Sequence, residues 1–258
     1  MKIVRYRDGA SGEGSYGILE DQTVYAASGD LLSDRGLSRG SEVGALDAVT
    51  LLPPIAPGKI VCVGLNYAAH VTENDASRTV PDEPVIFMKP NSSLIGPGDE
   101  IVIANAENRT DYEAELAIVI GKRCRNVSEA DAGSYVLGYT AANDVSDRVL
   151  QQKDGQWVRA KGFDTYCPLG PCIVTDLDVT DIKVESRLNG EVRQSQMTSN
   201  MIFTPNFLIG FISRVMTLDP GDVILTGTPE GVGPMKAGDT IEIEVGGVGV
   251  LRNPVTGA

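Results

Sequence analysis

Residues Tyr112–Ile120 carry an apolar side chain at every second position: Tyr112, Ala114, Leu116, Ile118 and Ile120. A period of two is the mark of a β-strand with one face in the core. The intervening face starts with Glu113 and Glu115 and runs on into Ala117 and Val119, so it too is partly buried. Residues i and i+2 of a strand point the same way, and both carboxylates therefore aim at one place. Two acids side by side out of water repel each other unless a proton or a cation lies between them. A divalent metal is the economical answer, and an exposed sheet face with two solvated acids is the plain alternative.

The rest of the chain reads as short strands. Ile60–Val63, Pro84–Met88, Val223–Thr226 and Thr240–Val245 are apolar runs of strand length, and Asn189-Gly190 inside Arg187–Arg193 is a hairpin turn. One helix stands out over residues 205–216. Thr204 is its cap, Pro205 its first residue, and Phe207, Leu208, Phe211, Ile212 and Val215 its apolar stripe, ending before Asp219-Pro220-Gly221. The first 50 residues are rich in Gly, Ser and Asp, with short alternating stretches at Tyr16–Leu19 and Thr23–Ala26. LLPPIAPGK (51–59) reads as an extended linker. The fold class expected is α+β and β-dominated, with mixed or antiparallel sheet, and the strand–helix alternation of a doubly wound fold is missing. A small N-terminal β-rich domain over 1–55 and a catalytic domain over 56–258 are expected.

Charge and composition narrow the function. Against 22 Lys and Arg stand 35 Asp and Glu, a formal net charge of −13, which argues against nucleic acid or an anionic membrane as a partner. A local basic pocket for a small acidic substrate stays open. No apolar run reaches the length of a signal peptide or a membrane span, so a cytoplasmic protein is expected. Cys62, Cys124, Cys167 and Cys172 show no CxxC spacing, which leaves no zinc knuckle or redox pair and no expected disulfide. His70 is the single histidine, so a His-rich zinc site or a two-His iron site cannot form within one chain.

Other residues could join the two glutamates. Asp144 ends the apolar stretch VLGYTAAND (136–144) and could supply a third oxygen, although a turn aspartate capping a strand is equally ordinary. Three carboxylates without histidine suit a hard cation, Mg²⁺ or Mn²⁺. His70 and Glu73, at i and i+3 of a short helical turn, are neighbours, and a carboxylate beside an imidazole makes a general base. Lys89 and Lys161 follow strands and could anchor a substrate carboxylate or an enolate oxygen; Arg148 and Gln151 are donors within reach. TGTPEGVG (226–233) lacks the Gly-Lys-Ser/Thr ending of a nucleotide loop, but its amides and Thr228 could touch a small acid. Each of these, taken singly, also has a bland reading as a solvated surface or loop residue.

Together the blocks LNYAAHVTE, PVIFMKP, DYEAELAIVIGK, GYTAANDVSDR, KGFDTYCPLGP, LNGEVRQ and LTGTPEGVG, in this order over about residues 55–255, resemble the fumarylacetoacetate hydrolase family. The resemblance implies mixed sheets rolled into a sandwich, a homodimer, and one Mg²⁺ or Mn²⁺ on Glu113, Glu115 and Asp144. It implies a His70–Glu73 pair in a segment that often closes as a lid, an active-site Lys161, and substrate contacts at Gln151 and Thr228. Two departures bear on the substrate contacts: similar proteins read NDVSARD where Asp147 here precedes Arg148, and Ala160 stands where glycine is common. The activity implied is hydrolysis of the C–C bond of an acylpyruvate-type 2,4-dioxo acid to pyruvate and a carboxylic acid. Oxaloacetate decarboxylation and 2-hydroxy-dienoate isomerisation are alternatives on the same site, and a metal-stabilised binding protein is the non-enzyme alternative. The distal part of the substrate is expected to meet Asn74–Asp82 and the N-terminal part.

Overall fold

The computed structural model of the chain describes residues 1–7, 9, 14–33, 36–73 and 76–257. Strands dominate, because few segments carry the apolar spacing that lets a helix bury one face. In order they are β1 (Lys2–Arg7), β2 (Gly14–Glu20), β3 (Thr23–Gly29), β4 (Leu37–Ala45), β5 (Leu51–Leu52), β6 (Ile60–Gly64), β7 (Val85–Lys89), β8 (Leu94–Ile95), β9 (Ile101–Ile103) and β10 (Thr110–Tyr112). There follow β11 (Ala114–Ile120), β12 (Val136–Asn143), β13 (Ser146–Asp147), β14 (Cys167–Val174), β15 (Lys183–Leu188), β16 (Glu191–Met197), β17 (Val223–Leu225), β18 (Gly233–Pro234), β19 (Thr240–Val245) and β20 (Gly249–Gly257). The helices are α1 (Ala68–Thr72), α2 (Glu129–Ala132), α3 (Arg148–Asp154), α4 (Val158–Lys161) and the longer α5 (Pro205–Val215).

The largest sheet runs β4-β3-β2-β1-β14-β12-β11-β17-β6-β7, with β5 beside β1 and β8 beside β14. It is mixed: β17 runs parallel to β6 and β8 to β14, while β11 and β12 are antiparallel. β1 pairs with β14 through Lys2↔Val174 and Ile3↔Ile173, so hydrogen bonds carry the sheet from the N-terminal strands into the later ones. A five-stranded sheet, β16-β15-β19-β20-β9, and a three-stranded one, β13-β10-β18, complete the fold.

Both faces of β11 are covered, as its composition requires. Ala114 and Leu116 share a core with Ile241, Ile243 and Leu251 of the five-stranded sheet, which makes the sandwich. Ala117 and Val119 on the other face share a second core with Ile3, Cys62, Ala142, Leu169 and Leu225 from other strands of their own sheet. Ile118 and Ile120 pack on Leu208, Ile209 and Ile212 of α5. Each such side chain removed from water contributes about 1.5–3 kcal/mol.

The structure refines two expectations. Tyr112–Ile120 is not one strand: it breaks at Glu113, with β10 in the small sheet and β11 in the large one. The helix forms where its caps place it, with the Thr204 hydroxyl accepting from Phe207 N at 3.2 Å. Its buried face is Leu208, Ile209 and Ile212, however, whereas Val215 is 55% exposed. Phe207 stacks between Phe203 and Phe211, at 5.3 and 6.4 Å between ring centres, and Phe207 and Phe211 pack half-buried against the same core. Asn189 and Gly190, at φ 54° and 82°, form the expected turn between β15 and β16. All four cysteines are buried free thiols. Among the described residues no helix is long and apolar enough to cross a membrane.

Asn66, fully buried, ties three separate parts of the chain together. Its amide donates to Phe203 O (3.0 Å) and Thr226 O (2.7 Å), and its oxygen accepts from Phe203 N (2.7 Å). Asn66→Ala leaves these backbone groups without partners, and urea unfolding should show a loss of about 3 kcal/mol.

Candidate metal centre and active site

The break at Glu113 creates the site. β11 and β12 pair as Ala114↔Asn143 and Glu115↔Ala142, and just beyond the last pair Asp144 N donates to Glu113 O at 2.9 Å. Asp144 therefore lies opposite Glu113, with Glu115 two residues along, and all three side chains share one face. Asn143 secures the break by accepting from Glu113 N at 2.9 Å. The carboxylates are 4%, 1% and 1% exposed for Glu113, Glu115 and Asp144, and a ligand oxygen from each lies within 4.8 Å of the others.

Cations balance two of the three. Lys161 Nζ, at the end of α4, lies 2.8 Å from Glu113 Oε2 and 2.7 Å from Asp144 Oδ2. Burial acts to lower the pKa of this ammonium, but Asp144 and Glu113 outweigh it and hold Lys161 charged above its ordinary value. Arg148 Nη1 lies 2.7 Å from the other Glu113 oxygen. Burial opposes ionisation of Glu113, yet Lys161 and Arg148 keep it well below the usual carboxylate range. Glu115 is different. Its Oε2 accepts from Gly227 N at 2.7 Å, and burial, then Asp144 and Glu113, push its carboxyl well above the ordinary value. A buried acid with no cation of its own, converging with two others, is a fitting donor set for a hard divalent ion.

The candidate base sits across from this cluster. His70 Nδ1 lies 3.0 Å from Glu73 Oε2. The other Glu73 oxygen accepts from Gly231 N at 2.7 Å, so the loop after β17 fixes the carboxylate that orients the imidazole. Burial works against ionisation of Glu73, but the His70 and Gly231 hydrogen bonds prevail and lower its pKa. A carboxylate partner keeps the proton on Nδ1 and leaves Nε2 to take one.

The remaining candidates divide. Arg148 opens α3 and also donates from Nη1 to Gln151 Oε1 at 2.9 Å. The Thr228 hydroxyl accepts from Gln194 Nε2 at 2.8 Å. His70, Glu113, Arg148, Gln151, Lys161 and Thr228 all line one recess of about 30 Å³, and it adjoins an outer cleft of about 300 Å³. Lys89 lies beneath the site. It is 2% exposed, and its ammonium is taken up by Asp144 Oδ1 at 2.6 Å and the carbonyls of Val145 and Lys161. That geometry makes it a support for Asp144 rather than a contact for substrate. Asp147, the departure noted above, accepts from Leu150 N at 3.0 Å as the cap of α3 and from Asn108 Nδ2 at 2.7 Å.

Sequence reasoning passed over several neighbours. Asp111 is fully buried between Arg109 and Arg148; the two-residue spacing to Glu113 and Glu115 was the available signal. Gln194 also accepts from Ala114 N at 3.0 Å, and nothing in its local sequence announces it. Trp157 lines both parts of the pocket and packs on Phe87, 5.2 Å between ring centres. Within the expected specificity segment Asn74–Asp82, Arg78 lines the outer cleft, and residues 74 and 75 lie outside the described residues. No described residue of the N-terminal strands lines either part. A larger cavity of about 890 Å³ between those strands and β20 shares no residue with the site.

Residues 59–256 match the family described as fumarylacetoacetate (FAA) hydrolase C-terminal, and residues 1–54 match Rv2993c-like, N-terminal. The chain belongs to the fumarylacetoacetate hydrolase family. It is 46% identical over 220 residues to the human mitochondrial oxaloacetate tautomerase FAHD2B, spanning 80% of this chain and 69% of that protein. The crystal structure of 5-carboxymethyl-2-hydroxymuconate delta-isomerase from Mycobacterium smegmatis superposes with a TM-score of 0.89 at 44% identity, over all of both chains. Maleylpyruvate hydrolase from Sphingobium sp. SYK-6, solved with manganese(II) and pyruvate, gives 0.82 at 32% identity, again over all of both chains. Members of this family are enzymes, and its hydrolases, isomerases and tautomerases share this fold.

The charge balance gives a direct test of the metal site. Glu115→Gln, which removes the uncompensated carboxyl, should melt no lower than the parent when both are free of metal. Saturating Mn²⁺ should raise the melting temperature of the parent alone, since only a ligand bound to the native state stabilises it.

Proposed function

We propose that this protein is a divalent-metal-dependent enzyme that interconverts the enol and keto forms of oxaloacetate. The observation that carries the reading is that His70, held by Glu73, lines the same small recess as Glu113, Lys161 and Arg148, a proton-transfer group beside a candidate cation site. Likeness to oxaloacetate tautomerases supports it. Held by Glu113, Glu115 and Asp144, Mg²⁺ or Mn²⁺ would supply a Lewis acid for the carboxylate and 2-oxo oxygens of the substrate.

The chain's own groups do the rest. In the keto-to-enol direction His70 Nε2 removes a proton from C3, and negative charge grows on the 2-oxo oxygen. The Lys161 ammonium, fixed by Glu113 and Asp144, offsets that charge. The oxygen then takes a proton from solvent to give the enol while the imidazolium releases its own; in the reverse direction the enol O–H loses its proton to solvent and the imidazolium delivers one to C3. Arg148, Gln151 and Thr228 orient the substrate around the reacting carbon. Hydrolysis of an acylpyruvate is the second reading, favoured by the fold match to the manganese-bound maleylpyruvate hydrolase. It calls on the same His70 to activate a water that attacks the 4-carbonyl, giving pyruvate and a carboxylic acid.

The test is a product assay on EDTA-stripped protein with Mg²⁺ or Mn²⁺ restored. Metal-dependent conversion of enol-oxaloacetate without pyruvate or CO₂ is the expected result, and His70→Ala should slow it about 10²-fold or more. Pyruvate with a free acid from maleylpyruvate would establish the hydrolase instead. Pyruvate with CO₂ from oxaloacetate, undiminished in His70→Ala, would establish a decarboxylase.

A further inference from the structure

The outer cleft ends on a pair of arginines, Arg148, which reaches into the recess, and Arg109, to which the proposed reaction gives no part. Asp111, fully buried, receives both. Arg109 meets it in fork geometry, Nε to Oδ1 at 2.8 Å and Nη2 to Oδ2 at 3.0 Å, and Arg148 Nε reaches Oδ2 at 2.8 Å. One carboxylate thus holds two guanidinium groups beside each other, and both residues line the cleft. The fork engages Nε and Nη2 of Arg109, whose side chain is 48% exposed, and leaves Nη1 without a partner among the described residues. Nη2 of Arg148 is buried and also has no hydrogen-bond partner among the described residues. A buried guanidinium nitrogen left unpaired is costly unless a ligand completes it.

We infer that Arg109, with Arg148 beside it, binds the distal carboxylate of the ligand and so selects 2-oxo diacids over 2-oxo monoacids. Planar guanidinium groups suit a carboxylate, which they grip through parallel hydrogen bonds. The position fits as well. Arg109 lines the outer cleft but not the inner recess, where Lys161 and Glu113 lie, whereas His70, Arg148 and Gln151 line both. A ligand whose 2-oxo acid end enters the recess leaves its far end at Arg109; this orientation rests on the reading given under Proposed function. Asp111 is then a positioning residue, holding the pair against its own repulsion.

Trp157 gives a readout that needs no turnover. It is the single tryptophan of the chain and lines both recess and cleft. Its fluorescence would be followed while Mg²⁺-loaded protein is titrated with oxaloacetate and, separately, with 2-oxobutanoate, which lacks the distal carboxylate. The parent should prefer the diacid by about 10- to 100-fold, the range of a hydrogen bond to a charged group, and Arg109→Gln should erase that preference with 2-oxobutanoate affinity unchanged. Arg109→Lys should keep part of it. Asp111 retains Arg148 in both variants, and their melting temperatures should stay near the parent's. Equal binding of the two ligands by the parent, a preference that survives in Arg109→Gln, or equal weakening of both ligands would each overturn the inference. Diacid preference without any turnover of oxaloacetate would leave this inference standing and remove the proposed reaction. Turnover without diacid preference would do the reverse.

Discussion

Three carboxylates share one face across the β11–β12 pair, all of them out of water, and the surrounding structure is arranged around that cost. Glu113, Glu115 and Asp144 would repel strongly in a dry sheet without counter-charges. Lys161, Lys89 and Arg148 supply them from α4, β7 and α3, elements outside the β11–β12 pair itself. Each cation arrives only if its element is in place, so the charge cluster also fixes how the chain closes over the sheet. Among the described residues Glu115 has no basic partner, and this incomplete balance leaves the charge that a hard cation would neutralise.

The same economy of parts links the His70–Glu73 pair to the carboxylate cluster. Glu73 divides its oxygens between the His70 ring and the Gly231 amide. The Gly231 carbonyl accepts from Tyr112 OH at 3.1 Å, and Tyr112 directly precedes Glu113. Gln194 clasps Thr228 and Pro229 on the loop and Ala114 on β11. The imidazole is thus referenced through short hydrogen-bonded steps to the strand that carries two of the carboxylates. A small displacement of that loop would alter the His70 orientation without touching the ring itself.

Much of this was legible in the chain before any coordinates, and the reasons differ by residue. Local patterns announced the hairpin at Asn189-Gly190, the cap at Thr204 and the same-face glutamates, because each depends on backbone geometry within a few residues. Val215 was misplaced on the buried helix face, since spacing alone does not say that Phe207 packs with Phe203 and Phe211. Lys89 looked like a substrate contact because it ends a strand; burial and three protein acceptors engage its ammonium instead. Asp111 was hidden in plain sight on the alternating DYEAE pattern, while Gln194 gave no signal at all.

Sequence by itself determined that Glu113 and Glu115 point to one place, for the two-residue period of a strand holds whatever the strand pairs with. It also named His70 as the one histidine a base could use, and a hard cation as the partner that suits a carboxylate site. Tertiary structure decided the rest. Only the register of β11 on β12 brings Asp144 opposite Glu113, and a slip of one residue would turn it to the other face. Only the docking of α4 and α3 delivers Lys161 and Arg148, and only the fork at Asp111 sets Arg109 on the rim of the cleft. Apart from the Arg109–Asp111 fork itself, those contacts join residues distant in sequence, and their free energy comes from the burial and pairing of charge that no local pattern encodes.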